Sequence, residues 1–139
     1  MIWKTKPTVE AINTMGNESM ATHVGIEITE IGDDFLSARM PVNSKTTQPY
    51  GILHGGASCV LAETLGSIGG AFCVDINTQI VVGLEINANH LRPAKDGYVT
   101  GTARPIHIGR TTHVWDIKIT NEKGDLVCIS RLTLAVKNI

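Results

Sequence analysis

GASCVLAETLGSIGGAF, residues 56–72, is the one segment whose apolar residues recur at the spacing of a long helix. It contains Gly66, Gly69 and Gly70, each of which weakens a solvent-exposed helix by about 1 kcal/mol relative to alanine. Glycine also lets another surface approach a helix closely. We therefore predict that a sheet packs against this helix and curls around it.

Alternating apolar residues predict strands on both sides of this helix. Before it, the patterns at 24–28 and 36–42 flank a turn at 32–34 and predict an antiparallel hairpin. Thr8 and Gly16 can begin and end a short helix nearer the amino terminus. After the long helix, four further strands are predicted at 79–87, 98–106, 115–119 and 126–136. This order predicts an α+β fold, with one helix against one antiparallel sheet.

Length and charge limit the possible functions. The chain has 139 residues, so we expect a single domain over 1–139. Lys and Arg number 12 and Asp and Glu number 13, which disfavours a polybasic binder of nucleic acid or membranes. Cys59, Cys73 and Cys128 are odd in number and widely spaced, which favours reduced thiols in the cytoplasm. The segment 1–7 is too short and polar for a signal peptide, so we expect a cytoplasmic protein.

The loop QPYGILHGG, residues 48–56, is the most informative segment for chemistry. Gly55 and Gly56 stand where this loop enters the helix. Backbone N–H groups are free at a helix start and favour negative charge there. An oxyanion site and a simple tight turn are equally compatible with these two glycines.

Glu63 is the only charged residue of the long helix. No Lys or Arg lies three or four residues away, so no ion pair along the helix explains it. We expect its carboxylate to flank an apolar helix face and to be desolvated, which suits a general base. Ser67 follows one turn later on the same face.

Further polar residues are predicted at strand ends. His90 and Arg92 follow one strand, and His107 and Arg110 follow another. Arginine can bind phosphate in bidentate fashion, but from these residues alone ordinary polar loops are the preferred interpretation. The sequence has no Walker A loop, serine-hydrolase elbow or zinc-ligand spacing, which disfavours those three mechanisms.

The loop 48–56 together with Glu63, seven residues after Gly56, resembles the hotdog-fold acyl-CoA thioesterases of the phenylacetate and 4-hydroxybenzoyl-CoA type. The segments LHGGAS at 53–58 and VGLEINANH at 82–90 resemble one subgroup closely. That subgroup contains the 1,4-dihydroxy-2-naphthoyl-CoA thioesterase of menaquinone synthesis and the proofreading thioesterase of enterobactin synthesis. The resemblance implies a curved antiparallel sheet wrapped around one central helix. It also implies homodimers, usually paired into homotetramers, with the active site at the dimer interface.

The resemblance also implies roles for individual residues in the hydrolysis of an acyl-CoA thioester. Glu63 would be the nucleophile or the general base, and the Gly55 N–H would polarise the thioester carbonyl. Gln48 and His54 would position the thioester, and Ser67 would orient the water or the acyl group. The residues implied to bind CoA are Gly83, His90, Leu91, Arg92, Pro93, His107, Ile108, Gly109, Arg110, Thr111 and Thr112. No metal or redox cofactor is implied.

The implied site is shared between two subunits, with Glu63 and Ser67 from one and Gln48, His54 and Gly55 from the other. The implied substrate is an aromatic acyl-CoA such as 1,4-dihydroxy-2-naphthoyl-CoA. A proofreading thioesterase that acts on a misacylated aryl carrier protein uses the same chemistry and stays open. A non-catalytic acyl-CoA binding module and a hotdog dehydratase are further alternatives, because fold alone does not assign function.

Overall fold

The computed structural model describes residues 1–16 and 18–139. Its helices are α1 (Val9–Asn13), α2 (Met20–His23) and α3 (Gly55–Phe72). Its strands are β1 (Glu27–Ile31), β2 (Leu36–Pro41), β3 (Gln79–His90), β4 (Tyr98–Ile108), β5 (Thr112–Thr120) and β6 (Leu126–Asn138). None of the described helices is long and apolar enough to cross a membrane.

The six strands form one antiparallel sheet in the order β1-β2-β4-β5-β6-β3. The predicted β1–β2 hairpin is confirmed, with Glu27 opposite Arg39. α3 contacts five of the strands, β2 to β6. This is the expected α+β hotdog arrangement of one sheet around one long helix. β3 lies at an edge of the sheet, so one side of its backbone is unpaired within the chain.

The glycines of α3 allow the close approach that the sequence predicts. A Cβ atom at Gly66 would lie 2.5 Å from Leu132 Cδ2, and one at Gly70 would lie 2.5 Å from Leu134 Cδ1. Both leucines belong to β6 and are fully buried. An alanine at either position would therefore force the buried leucine, or the strand that carries it, to shift.

The amino-terminal region differs from the prediction in two ways. A short helix at 20–23 was not predicted, and β1 begins at Glu27 rather than at residue 24. The Ser19 hydroxyl accepts a hydrogen bond from the Thr22 N–H, and the Thr22 hydroxyl accepts one from the Ser19 N–H. Four residues are too few to show helical periodicity, so the buried Val24 at the end of this helix resembled the start of a strand.

His113 is buried on β5 and makes the stability of the fold depend on pH. Burial lowers the pKa of its imidazole below the ordinary value of 6.5, and the nearby His107 lowers it further. Its Nδ1 has no hydrogen-bond partner among the described residues. The unfolded chain therefore binds a proton at this residue that the folded chain does not bind. The contribution of the neutral His113 to stability is fully present above pH 6.5 and is lost as the pH decreases below it.

We expect the urea concentration at the unfolding midpoint to decrease as the pH is lowered from 7.5 to 5, because His113 takes up a proton when the chain unfolds at low pH. His113→Gln, which cannot be protonated, should show a smaller fall than wild type. The exposed His23→Gln serves as the matched control, and its profile should follow wild type. Parallel pH profiles for wild type and His113→Gln at one protein concentration would contradict this role of His113.

Candidate active site

Backbone hydrogen bonds hold the loop that leads into α3. The His54 N–H donates to the Thr46 carbonyl at 2.8 Å, and the Leu53 N–H donates to the Ala94 carbonyl at 2.7 Å. The loop is thus attached to the segment after β2 and to the segment before β4. These bonds fix the position of Gly55, the first residue of α3.

His54 caps the amino terminus of α3 with its side chain. Its Nδ1 accepts a hydrogen bond from the Gly56 N–H at 2.8 Å, and its carbonyl accepts one from the Ala57 N–H at 2.9 Å. Because Nδ1 is an acceptor, the neutral ring carries its proton on Nε2. The exposed His54 can therefore donate a hydrogen bond to a bound molecule.

The Gly55 N–H has no acceptor among the described residues, as expected for the first turn of a helix. A Cβ atom at Gly55 would lie 2.7 Å from His90 Nε2 and 3.0 Å from His90 Cε1. The imidazole of His90 therefore packs directly on the Gly55 backbone, and only glycine fits there without a shift. An open N–H donor and an imidazole meet at this point.

A pocket of about 430 Å³ surrounds this pair. Its lining includes six of the predicted site residues, Gln48, Gly55, His90, Leu91, Arg92 and Pro93. Arg92 is held at the pocket by a 3.0 Å hydrogen bond from its Nη1 to the Leu126 carbonyl. Gln48 accepts a hydrogen bond from the Tyr50 N–H through Oε1, which leaves its NH₂ group able to donate.

Glu63 lies on the exposed side of α3, which corrects the expectation that its carboxylate is desolvated within the chain. The physical reason is that the sheet covers only one side of this helix. No hydrogen bond or ion pair from the described residues engages the carboxylate, and none joins it to the half-buried Ser67. Its Oε2 would lie 2.6 Å from a Cβ atom at Gly83, so it sits directly over the Gly83 backbone.

The nearest thiol to this carboxylate is unsuited to nucleophilic attack. Burial raises the pKa of the Cys59 thiol, and the Glu63 carboxylate raises it further. Burial also raises the pKa of Cys73 and Cys128 to about 11. All three cysteines are free, as predicted, and they stay protonated at neutral pH. Glu63 is therefore the better candidate for a reacting group on α3.

The predicted site residues do not all meet within one chain. Gly55 and Glu63 are eight residues apart on α3, which separates them by about 12 Å along its axis. The predicted residues His107, Ile108, Gly109, Arg110, Thr111 and Thr112 lie around the β4–β5 turn. His90 pairs with Cys128 of β6, and Cys128 pairs on its other side with Ile119 of β5. Ile119 is seven residues, or about 23 Å, from Thr112 along β5. The two predicted CoA-binding segments therefore lie at opposite ends of the sheet.

An apolar groove of about 560 Å³ lies between α3 and the amino-terminal segment. It borders α3 at Thr64 and Ile68, directly after Glu63. Its other apolar walls include Ile12, Met15, Ile26, Ala71, Phe72 and Ile76. Sequence reasoning missed this groove, because its walls come from segments that are far apart in the chain.

No group of three His, Cys, Asp or Glu side chains within residues 1–16 and 18–139 is arranged to hold a metal ion. The predicted site residues around Gly55 supply two imidazoles, an amide and an open N–H, and Glu63 supplies a carboxylate.

Comparisons with known proteins match the chain over its length. The family model of the thioesterase superfamily matches residues 50–128. A 1,4-dihydroxy-2-naphthoyl-CoA hydrolase of Escherichia coli strain K12 is 54% identical over 136 residues, covering 98% of this chain and 99% of that protein. A proofreading thioesterase of Cronobacter turicensis is 48% identical over 136 residues, covering 98% of both. A crystal structure of a thioesterase from Haemophilus influenzae has a TM-score of 0.96 at 50% identity, covering 99% of this chain and 96% of that chain.

Proposed function

This chain belongs to the thioesterase superfamily and is a thioester hydrolase, and from that premise we propose that it hydrolyses an aromatic acyl-CoA. The candidate substrate is 1,4-dihydroxy-2-naphthoyl-CoA, because the 54% identical relative from Escherichia coli is named as the hydrolase of that compound. One observation carries the proposal. The open Gly55 N–H can stabilise an oxyanion and the unpaired Glu63 carboxylate can act as base or nucleophile, which are the two roles that thioester hydrolysis can use.

Hydrolysis needs little activation, because a thioester carbonyl is electrophilic and a thiolate leaves readily. As a general base, Glu63 takes a proton from water while the water oxygen attacks the carbonyl carbon. The Gly55 N–H donates to the oxyanion that forms, the C–S bond breaks, and the thiolate recovers the proton from Glu63. As a nucleophile, Glu63 instead attacks the carbon itself, the C–S bond breaks to release the thiolate, and water then hydrolyses the resulting anhydride to the product acid and free Glu63. Both routes use the same two groups.

The roughly 12 Å between Gly55 and Glu63 on α3 supports a site shared by two chains. β3 has an unpaired edge and exposes Ile80, Val82 and Leu84. Two copies of this strand that pair antiparallel, with Gly83 opposite the partner's His90, bring the Glu63 carboxylate toward the partner's Gly55. Such an isologous dimer contains two equivalent sites. The same pairing brings the two CoA-binding segments of different subunits closer together.

The groove of about 560 Å³ supports an aromatic acyl group. It reaches α3 at Thr64, the residue that follows Glu63 in the chain, and its walls are mainly apolar, which suits a flat ring system. Arg92 and the exposed Arg110 are suited to pair with the phosphates of CoA. Under this proposal Gln48 and His54 hold the thioester through donated hydrogen bonds.

The experiment that tests this function measures thiol release from a panel of thioesters. The panel contains benzoyl-CoA, a hydroxynaphthoyl-CoA, a medium straight-chain acyl-CoA and an aryl-loaded carrier protein. We expect the highest kcat/KM for the hydroxynaphthoyl thioester, because its ring fills the apolar groove. Tight binding without release from any substrate would contradict hydrolysis and favour an acyl-CoA binding module.

A proofreading role is the second candidate, because the relative from Cronobacter turicensis carries that name at 48% identity. Its substrate is an aryl group on the phosphopantetheine arm of a carrier protein. A kcat/KM that is higher for the carrier protein than for every CoA thioester would favour this role. The catalytic residues are the same in both cases.

A further inference from the structure

Partway along β3, the set of residues that face the helix changes. A β-bulge interrupts its pairing with β6 between Gly83 and Glu85. Before the bulge, Val81 packs toward α3, and after it, Ile86 packs toward the core. Alternate residues of a strand face opposite sides, so the inward positions are odd-numbered before the bulge and even-numbered after it. The extra residue lets Gly83 and His90 face α3 together.

Both of these inward residues touch the candidate active site. The Gly83 backbone lies under the Glu63 carboxylate, where an added Cβ atom would meet Oε2 at 2.6 Å. The His90 ring lies against Gly55, where an added Cβ atom would meet Nε2 at 2.7 Å. Bulges commonly redirect side chains near active sites, and here one bulge serves both halves of the site.

We propose that Gly83 is a positioning residue, whose missing side chain seats the Glu63 carboxylate on the bulged part of β3. This role differs from the CoA contact that the resemblance implies for Gly83. It rests on the proposed function, because it requires Glu63 to act on the thioester. No described residue forms a hydrogen bond or an ion pair with this carboxylate, so its close approach to Gly83 is the contact that limits where it can sit.

The substitution Gly83→Ala isolates this contact. The φ angle of Gly83 is not positive, so alanine can adopt the same backbone conformation. The atom that its Cβ meets is the end of a flexible, exposed side chain, so Glu63 yields and the sheet does not. We expect the Tm to be unchanged or slightly raised, because alanine suits a strand better than glycine. We expect kcat to fall about 10²-fold, since a displacement of about 1 Å can cost that much.

Two measurements separate positioning from binding of CoA. The first uses the benzoyl thioester of N-acetylcysteamine, which lacks the nucleotide of CoA. The Gly83→Ala loss in kcat should persist with this short substrate. The second introduces Gly83→Ala into a Glu63→Asp background, in which the carboxylate ends about 1.5 Å short of the clash. There the loss should shrink to less than about threefold, because the two changes are coupled. The exposed Asn89→Ala on β3 is the matched control and should keep wild-type kcat.

Each other result overturns the inference. A higher KM with unchanged kcat, or a loss seen only with CoA substrates, assigns Gly83 to CoA binding. An equal loss in the Glu63→Asp background shows that the two residues act independently. If Gly83→Ala lowers the Tm, and the Glu63→Asp background does not restore it, then Gly83 has a structural role in the fold instead. Full activity of Glu63→Gln, by contrast, overturns the proposed function itself, so the two failures are distinguishable.

Discussion

Glu63→Gln is expected to lower kcat for acyl-CoA hydrolysis by about 10²–10⁴-fold, the usual contribution of a general base. Glutamine keeps the shape of the side chain but can neither accept the proton of water nor attack the carbonyl carbon. The fold should be unaffected, because the carboxylate is exposed and makes no ion pair within the described residues. Thiol release under saturating substrate and a thermal melt of each variant measure these two effects.

The control for this substitution is Glu30→Gln, which removes an exposed carboxylate from β1. It should retain wild-type kcat, since β1 lies at the opposite edge of the sheet from β3 and Glu30 is therefore distant from the contact of Glu63 with Gly83. Wild-type turnover by Glu63→Gln would show that another group performs the chemistry. Substrate binding by Glu63→Gln should be preserved, so a loss of binding in place of kcat would also contradict the assigned role.

Gly55→Ala is expected to lower kcat by about 10²–10³-fold, the usual cost of losing one oxyanion donor. The added Cβ atom would lie 2.7 Å from His90 Nε2, so the Gly55 peptide or the imidazole must move. Movement of the peptide turns the open N–H away from the thioester oxygen. In a His90→Ala background the clash is absent, and the additional loss from Gly55→Ala should be much smaller. An equally large loss in that background would exclude this steric cause.

Mixing the two inactive variants tests whether the site is shared between chains. When Glu63→Gln and Gly55→Ala chains are unfolded together in equal amounts and refolded, about half of the dimers are mixed. Each mixed dimer has one site with both an intact Glu63 and an intact Gly55. We expect about one quarter of wild-type activity to return. A mixture that stays inactive would place both groups in the same chain's site.

Local patterns in the sequence were sufficient for most of the fold. The helix at 56–72 was predicted within one residue of α3, and the strands after it were predicted with their correct order. Periodicity reports which face of an element is apolar, and these elements are long enough to show it. The helix α2 was missed because four residues are too few to show the helical repeat of apolar residues. The desolvation expected for Glu63 was wrong for the single chain, because composition does not show which side of a helix a sheet covers.

The sequence alone indicated the loop 48–56 and the single charged residue of α3, Glu63. Each of these features depends on residues that are close together in the chain. Their surroundings were decided by the tertiary structure. The contact of Glu63 with Gly83 and that of Gly55 with His90 depend on the register of β3, which a bulge shifts by one residue. The apolar groove depends on how α1, β1 and α3 pack. Such long-range register and packing arise from the whole set of contacts, and no local spacing in the sequence encodes them.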